Sequence, residues 1–269
     1  MEYTKQGRHN RTFIIIWTIA VIGFIYLPVL CDALSSLSKG RYFMFPIKKW
    51  GLDWWTKTAN SIEISQLVSN SLLIAFFVTI LSTIIAFCGA LAFARFSWKG
   101  KKMFQKIILM PVFFPQPVLG LALLLWFNAI GIPLSWHTAV FAHLVWITPV
   151  VTLVIAIQVY GFDPTLEDAA KDLGATPFQI FWRVTLPLLW PGIWSGMLFA
   201  FLLSWGNFPL SLYTTGVDNT VPKWLYSKMV AGYTPMVPTL GTMSTLGAAG
   251  LMLLGALTVY MMHRRQGRF

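Results

Sequence analysis

DPTLEDAAKDLGATPFQIFWRVTLPLLWP, running from Asp163 to Pro191, is a charged, proline-punctuated stretch in a chain that is otherwise almost entirely apolar. Asp163-Pro164 reads as a helix start, because Asp accepts free backbone N–H groups and Pro is tolerated at the first helical position. Glu167 and Asp168 follow where the helix dipole favours acids. Leu166, Ala169, Ala170 and Leu173 recur at i, i+3, i+4 and i+7 and give one apolar stripe. The two alanines keep the stripe thin, so another surface can approach the backbone closely. Gly174 falls just past the helix end, where a left-handed backbone is common. Thr176 and Gln179 have the spacing of a capping box, with Pro177 opening a second helix whose apolar face is Ile180, Phe181 and Val184. Leu186-Pro187 and Pro191 are expected to end that helix and turn the chain back. The stretch predicts a stiff two-helix knob, too polar to sit in hydrocarbon.

Outward from the knob, the composition decides the class. Of 269 residues 57% are hydrophobic and 11% charged, more apolar surface than a soluble domain can bury. Six runs approach the ~20 residues that cross a bilayer: 13–31, 68–93, 104–128, 137–159, 192–214 and 240–262. None contains Asp or Glu. The fold class predicted is an all-α integral membrane protein with six transmembrane helices. Lys5, Arg8 and Arg11 precede the first run, which is long for a signal-peptide core and lacks a small-x-small site, so an uncleaved first span is expected. Cys31 and Cys88 fall at different depths and read as small packing residues.

The basic residues orient the spans. With the N-terminus placed inside, 13 of the 20 Lys and Arg residues fall on inner segments, most densely between Arg95 and Lys106, while the short outer loop 129–136 carries no charge. This is the positive-inside pattern: it puts both termini and the knob in the cytoplasm, in a cell inner (plasma) membrane. The net charge of +11 then reflects attraction to anionic membrane lipid, not to nucleic acid. The domain reading is a cytoplasmic tail (1–12), a first helix with an outer loop (13–66), a five-helix core (67–262) and a basic cytoplasmic tail (263–269). Trp50, Trp54, Trp55, Lys48 and Lys49 suit an amphipathic stretch at the outer membrane surface.

At the knob the chain resembles the inner-membrane permeases of binding-protein-dependent ABC importers, the MetI-like type I family. The family motif is E-A-A, three residues, Gly, then an apolar residue, x and Leu-Pro. Asp168-Ala169-Ala170 matches it with Asp for Glu, Gly174 matches the glycine, and Val184-Thr185-Leu186-Pro187 matches the ending. The resemblance runs from Ser69-Asn70-Ser71 to the C-terminus. Within the family the Asn70-Ser71 pair and Lys171-Asp172-Leu173-Gly174-Ala175 are similar to the spermidine/putrescine-type second permease. The resemblance implies a coupling helix that docks a separate ATPase through Glu167, Asp168, Ala169, Ala170, Leu173, Gly174, Ala175, Leu186 and Pro187. It also implies two ATPase copies, which hold the ATP and Mg, a second permease subunit, a different chain, and an extracytoplasmic solute-binding protein. No cofactor is expected in this chain.

Polar groups inside spans face partners or water, so Gln116, Ser204 and Asn207 are the candidate solute-path residues, with His143 and Asn128 behind them. Gln116 lies between Pro115 and Pro117, and Asn207 between Gly206 and Pro209, both sequences that break helices. Polyamine-type permeases carry acids at the places held here by Gln116 and Gly206-Asn207, and a polycation would need them to replace its hydration. The solute class therefore stays wide: polyamine-like, amino-acid derivative, phosphonate or opine-like. There is no G-x-x-x-x-G-K-[ST], no G-x-S-x-G and no metal-ligand spacing among His9, His137, His143 and His263, so neither a catalytic nor a metal residue is assigned. The competing reading is an ATP-independent secondary transporter or channel.

Overall fold

A computed structural model describes residues 5–42, 44 and 46–265. The elements in order are α1 (Lys5–Ser36), α2 (Asp53–Ala59), α3 (Ile62–Ala90), α4 (Lys101–Phe113), α5 (Gln116–Ala129), α6 (Trp136–Tyr160), α7 (Thr165–Asp172), α8 (Pro177–Ile180), α9 (Leu186–Trp205), α10 (Phe208–Thr214), α11 (Val221–Ala231) and α12 (Met236–Arg265). Among the described residues, five continuous helices are long and apolar enough to cross a membrane. Counting the bent pair α4 and α5, which meet at 98°, as one broken span brings the number to six. The break falls at Phe114-Pro115, both extended, because Pro115 and Pro117 each withhold an N–H from the helical ladder.

Two compact units are distinguished. The first comprises Met1–Ile64 with Ser227–Gly247, so the segment 227–247, assigned by sequence to a single core over 67–262, clusters with the N-terminal part of the chain. In this unit α1 continues past the expected end at residue 31 to Ser36 despite Pro28, as membrane helices tolerate proline. Asp32, expected outside the span, therefore lies within the helix, 3.5 Å from the Thr242 hydroxyl. The following loop is pinned by a Ser38–Trp50 bridge, by Trp55 donating to Ser36 Oγ (3.3 Å) and by Lys39–Asp53 (3.3 Å).

The second unit, Ser65–Tyr226 with the chain from Ala248, holds the main core. Ile74 and Val78 of α3, Ile147, Val151 and Ile155 of α6, and Leu189, Ile193 and Ala200 of α9 are fully or nearly fully buried together. Lipid is as apolar as these side chains, so close packing has to hold the helices together. Gly192 and Gly196, four residues apart on α9, supply it: a Cβ on Gly192 would stand 2.4 Å from Gln158 Cβ, and one on Gly196 2.8 Å from Ile155 Cγ1.

Leu186-Pro187 does not end a helix. Pro177 to Trp205 forms one continuous 29-residue span, so the fifth membrane helix starts fifteen positions earlier than the run at 192 suggested. The ladder is rescued by a π-turn over Phe181–Thr185. Pro187 has no N–H for the Arg183 carbonyl, and a one-residue widening just before it relieves both the missing bond and the ring clash. The expected run to 214 instead breaks at Gly206, and α10 starts afresh at Phe208.

Candidate functional site

The knob is built as the sequence chemistry dictates. Asp163 Oδ1 accepts from the Thr165 N–H (3.0 Å), and this bond holds the Asp163 carboxyl below its ordinary pKa. At the far end of α7, Gly174 takes φ +81°, the Gly174 N–H donates to Lys171 O (2.8 Å) and the Ala175 N–H to Ala170 O (3.0 Å). These two bonds are the paired closure of a Schellman turn. Thr176 Oγ1 then accepts from the Gln179 N–H (3.3 Å), while Gln179 Oε1 accepts from the Thr176 N–H (2.8 Å), the reciprocal capping box. Both helix ends at the turn are thereby satisfied, which leaves the corner little freedom.

The proposed docking residues divide into two sets. Leu173 is 89% exposed and Leu166 44%, with Asp168, Ala169 and Gly174 also outward, so the apolar stripe faces solvent. Ala170, Ala175 and Leu186 are half-buried, and Pro187 is exposed beside the π-turn. Asp168 pairs with Lys171 (2.7 Å) on the surface, and that hydrogen bond raises the Lys171 pKa. An exposed pair of this kind contributes little to stability. Glu167 belongs to the other set. Sequence grouped it with the docking face, yet it is buried and points inward, towards Arg95 and Thr185.

Glu167 Oε2 accepts from Arg95, and Glu167 Oε1 from the Thr185 hydroxyl. Arg95 closes a second π-turn, Leu91–Arg95, at the end of α3, and its guanidinium lies 5.1 Å from the centre of the Phe162 ring. One carboxylate thus ties together the end of the second span, the knob and the start of the fifth span. Side-chain exposures of 22% for Arg95 and 12% for Glu167 make this a largely desolvated pair, unlike Asp168–Lys171. Sequence reading treated Arg95 only as one charge of the positive-inside count. The available signal was the neighbouring acid pair, Glu167-Asp168, whose side chains leave a helix about 100° apart and so meet different surroundings.

The candidate path residues sit elsewhere in this unit. Ser204 is buried, and its hydroxyl is 2.9 Å from His143 Nδ1, while His143 Nε2 is 3.1 Å from Ser211 Oγ. His143 therefore links α6 to both α9 and α10, with Ser71 and Thr220 lining the same narrow seam. Asn207 is buried and caps α10, its Oδ1 accepting from the Leu210 N–H (3.1 Å). Gln116 is half-buried at the first position of α5, immediately after the break, and Asn128 is exposed near the end of that helix. The breaks at Pro115 and Gly206 are where the sequence put them, but Ser204 and Asn207 already have partners within the chain. His143→Leu is expected to lower the melting temperature in detergent, since two buried serines lose a partner at about 1–3 kcal/mol each before they turn to their own helix carbonyls. His143→Gln should recover part of the loss; equal melting of His143→Leu and wild type would contradict the linking role.

Nearby, Lys223 donates to Gly216 O (2.8 Å) and Thr215 Oγ1 (3.0 Å), and burial lowers its pKa against the opposing pull of Asp218. Asp218 in turn accepts from the Trp136 N–H (2.9 Å) and caps α6. Among the described residues no group of three His, Cys, Asp or Glu side chains could hold a metal ion.

Among the described residues, helices long and apolar enough to cross a membrane carry a capped knob braced from within the chain. The chain belongs to the family of binding-protein-dependent transport system inner membrane components, whose profile matches residues 83–268. It is 30% identical over 238 residues to the spermidine/putrescine transport system permease protein PotC of Haemophilus influenzae, covering 88% of this chain and 92% of that one. With the putrescine transport system permease protein PotI of Escherichia coli it shares 29% identity over 262 residues, 93% of this chain and 92% of the other. In fold it is similar to a bacterial ABC transporter that imports the acidic polysaccharide alginate (TM-score 0.70, 15% identity, 94% and 98% coverage). It is also similar to the inward-facing MetNI methionine ABC transporter (TM-score 0.61, 17% identity, 75% and 99% coverage). The protein is a multi-pass inner-membrane permease of a bacterial ABC importer, a non-catalytic subunit whose ATP is bound by a partner chain. The ATP-independent transporter or channel reading is set aside on this ground.

Proposed function

We propose that this permease forms half of a path for a small organic solute and takes its driving force through the Asp163–Pro187 knob. Two ATPase copies and a second, different permease chain complete the assembly, with both termini of this chain in the cytoplasm and a solute-binding protein on the opposite side. The observation that carries the reading is the opposition of two faces on α7: Leu166, Ala169 and Leu173 outward, Glu167 inward on Arg95 and Thr185. An ATPase groove that grips the outer face would move a rigid body already fastened to α3 and α9.

The polyamine permeases among its relatives support a polyamine-like solute, while Gln116 and Asn207, where a polycation would want carboxylates, support an amino-acid derivative, phosphonate or opine-like one. Identification of the ligand carried by the cognate binding protein decides between them.

Gly174 gives the sharpest test of docking. Space around it is open, with nothing within 4 Å of where a Cβ would stand, so the backbone angle alone resists substitution. A left-handed residue costs a non-glycine side chain roughly 1–2 kcal/mol, Asn less, and a β-branched residue more. Solute-stimulated ATP hydrolysis should fall in the order Gly174, Asn, Ala, Val, with membrane insertion unchanged throughout. Full coupling in Gly174→Val would refute the docking role.

A further inference from the structure

We propose that a groove between the end of α3 and α4 is a binding site for one anionic phospholipid, with its phosphate on Lys102 and Lys106. The groove has a volume of about 520 Å³ and is lined by Phe93, Lys102, Gln105, Lys106, Leu109 and Phe113. Lys102 and Lys106 are four residues apart on α4, a spacing that brings side-chain roots to about 5–6 Å and lets two ammonium groups converge on one phosphate. Neither lysine forms an ion pair among the described residues. Gln105 is already engaged, its Nε2 donating to Phe93 O (2.9 Å), so it fixes the wall and leaves the lysines to the ligand.

The rest of the lining is hydrocarbon. Leu109 and Phe113 continue the groove along α4 towards the 98° break, Phe93 lines it from the turn after α3, and Met103, Ile107 and Met110 are also exposed on α4. A cationic end joined to an apolar trough matches a molecule with a phosphate and a tail. A soluble anion would leave the trough wet, and a neutral lipid would leave two cations unpaired at the edge of hydrocarbon. Charge and position therefore favour a phosphatidylglycerol-like lipid over either. Phe93 stands two positions before Arg95, so an occupied groove packs α4 against the turn that holds Glu167.

The test is native mass spectrometry of the full-length protein titrated with phosphatidylglycerol, with phosphatidylcholine of the same chains, or with inorganic phosphate. Wild type is expected to retain one phosphatidylglycerol in preference to phosphatidylcholine. Lys102→Gln/Lys106→Gln should weaken that retention roughly thirtyfold, about fivefold per lysine. Lys48→Gln/Lys49→Gln, a basic pair outside the groove, should leave it unchanged. Leu109→Trp, which fills the trough, should lower it with both lysines present. Equal retention in Lys102→Gln/Lys106→Gln, equal retention of phosphatidylcholine, or displacement of the lipid by inorganic phosphate at matched concentration would overturn the proposal. If the double variant is not recovered folded, a phosphatidylglycerol with a photoreactive tail decides on wild type. Adducts within residues 93–113 support the site, and adducts confined to other helices overturn it.

Discussion

Arg95→Ala is expected to uncouple the importer while leaving it in the membrane. The substitution strands the Glu167 carboxylate in a largely buried position and frees α7 from the end of α3. Removing one member of a buried pair costs about 3–5 kcal/mol, and the residual exposure of Arg95 places this case nearer 2–3 kcal/mol. The loss is local, because α3, α6 and α9 keep their own core. Hydrogen exchange should therefore accelerate over residues 165–173 and not over 147–155, and solute-stimulated ATP hydrolysis should drop more than tenfold. Glu167→Gln keeps the shape and should cost less, retaining a hydrogen bond from Arg95. In the double variant Arg95→Ala/Glu167→Gln no charge is stranded, so its exchange should be slower than in Arg95→Ala alone. Normal coupling in Arg95→Ala would mean that the knob is held by its other contacts.

Gly192→Val is expected to cost more in global stability than any surface change. A Cβ at this position meets Gln158 Cβ at 2.4 Å and Cγ at 2.9 Å, and Gln158 Cβ is fixed to the backbone of α6, so no rotamer change clears it. Helices α6 and α9 must separate, which also loosens Gly196 against Ile155 and Val151. Overpacking typically costs 1–3 kcal/mol; rigid backbone on both sides puts Gly192→Val at about 3 kcal/mol and Gly192→Ala somewhat below it. Gly247 on α12, with nothing within 4 Å of its Cβ position, is the matched control, and Gly247→Ala should melt within a degree or two of wild type. The measurement is thermal unfolding in detergent; parity between Gly192→Val and Gly247→Ala would show that α6 and α9 do not pack through this contact.

The amino-acid sequence alone determined the elements whose causes are local. Spans follow from runs of apolar residues, the α7 start from Asp163-Pro164, the turn from Gly174, the second cap from Thr176 and Gln179, and the breaks from Pro115 and Gly206. Each rests on backbone valence or on transfer of side chains out of water, and both are legible within a few positions. Proline chemistry alone argued against the continuity of Pro177–Trp205, since a widened turn one residue long absorbs Pro187 and such a turn has no residue signature of its own.

Only tertiary structure decided which acid turns inward and what meets it. Arg95 and Glu167 are 72 positions apart, and His143 reaches Ser204 and Ser211 from 61 and 68 positions away. Pairings of that separation depend on how the helices pack, a property of several segments at once. Gly192 and Gly196 likewise carry no polar signal; their meaning is the side chain they lack, and it emerges only when α6 lies against them.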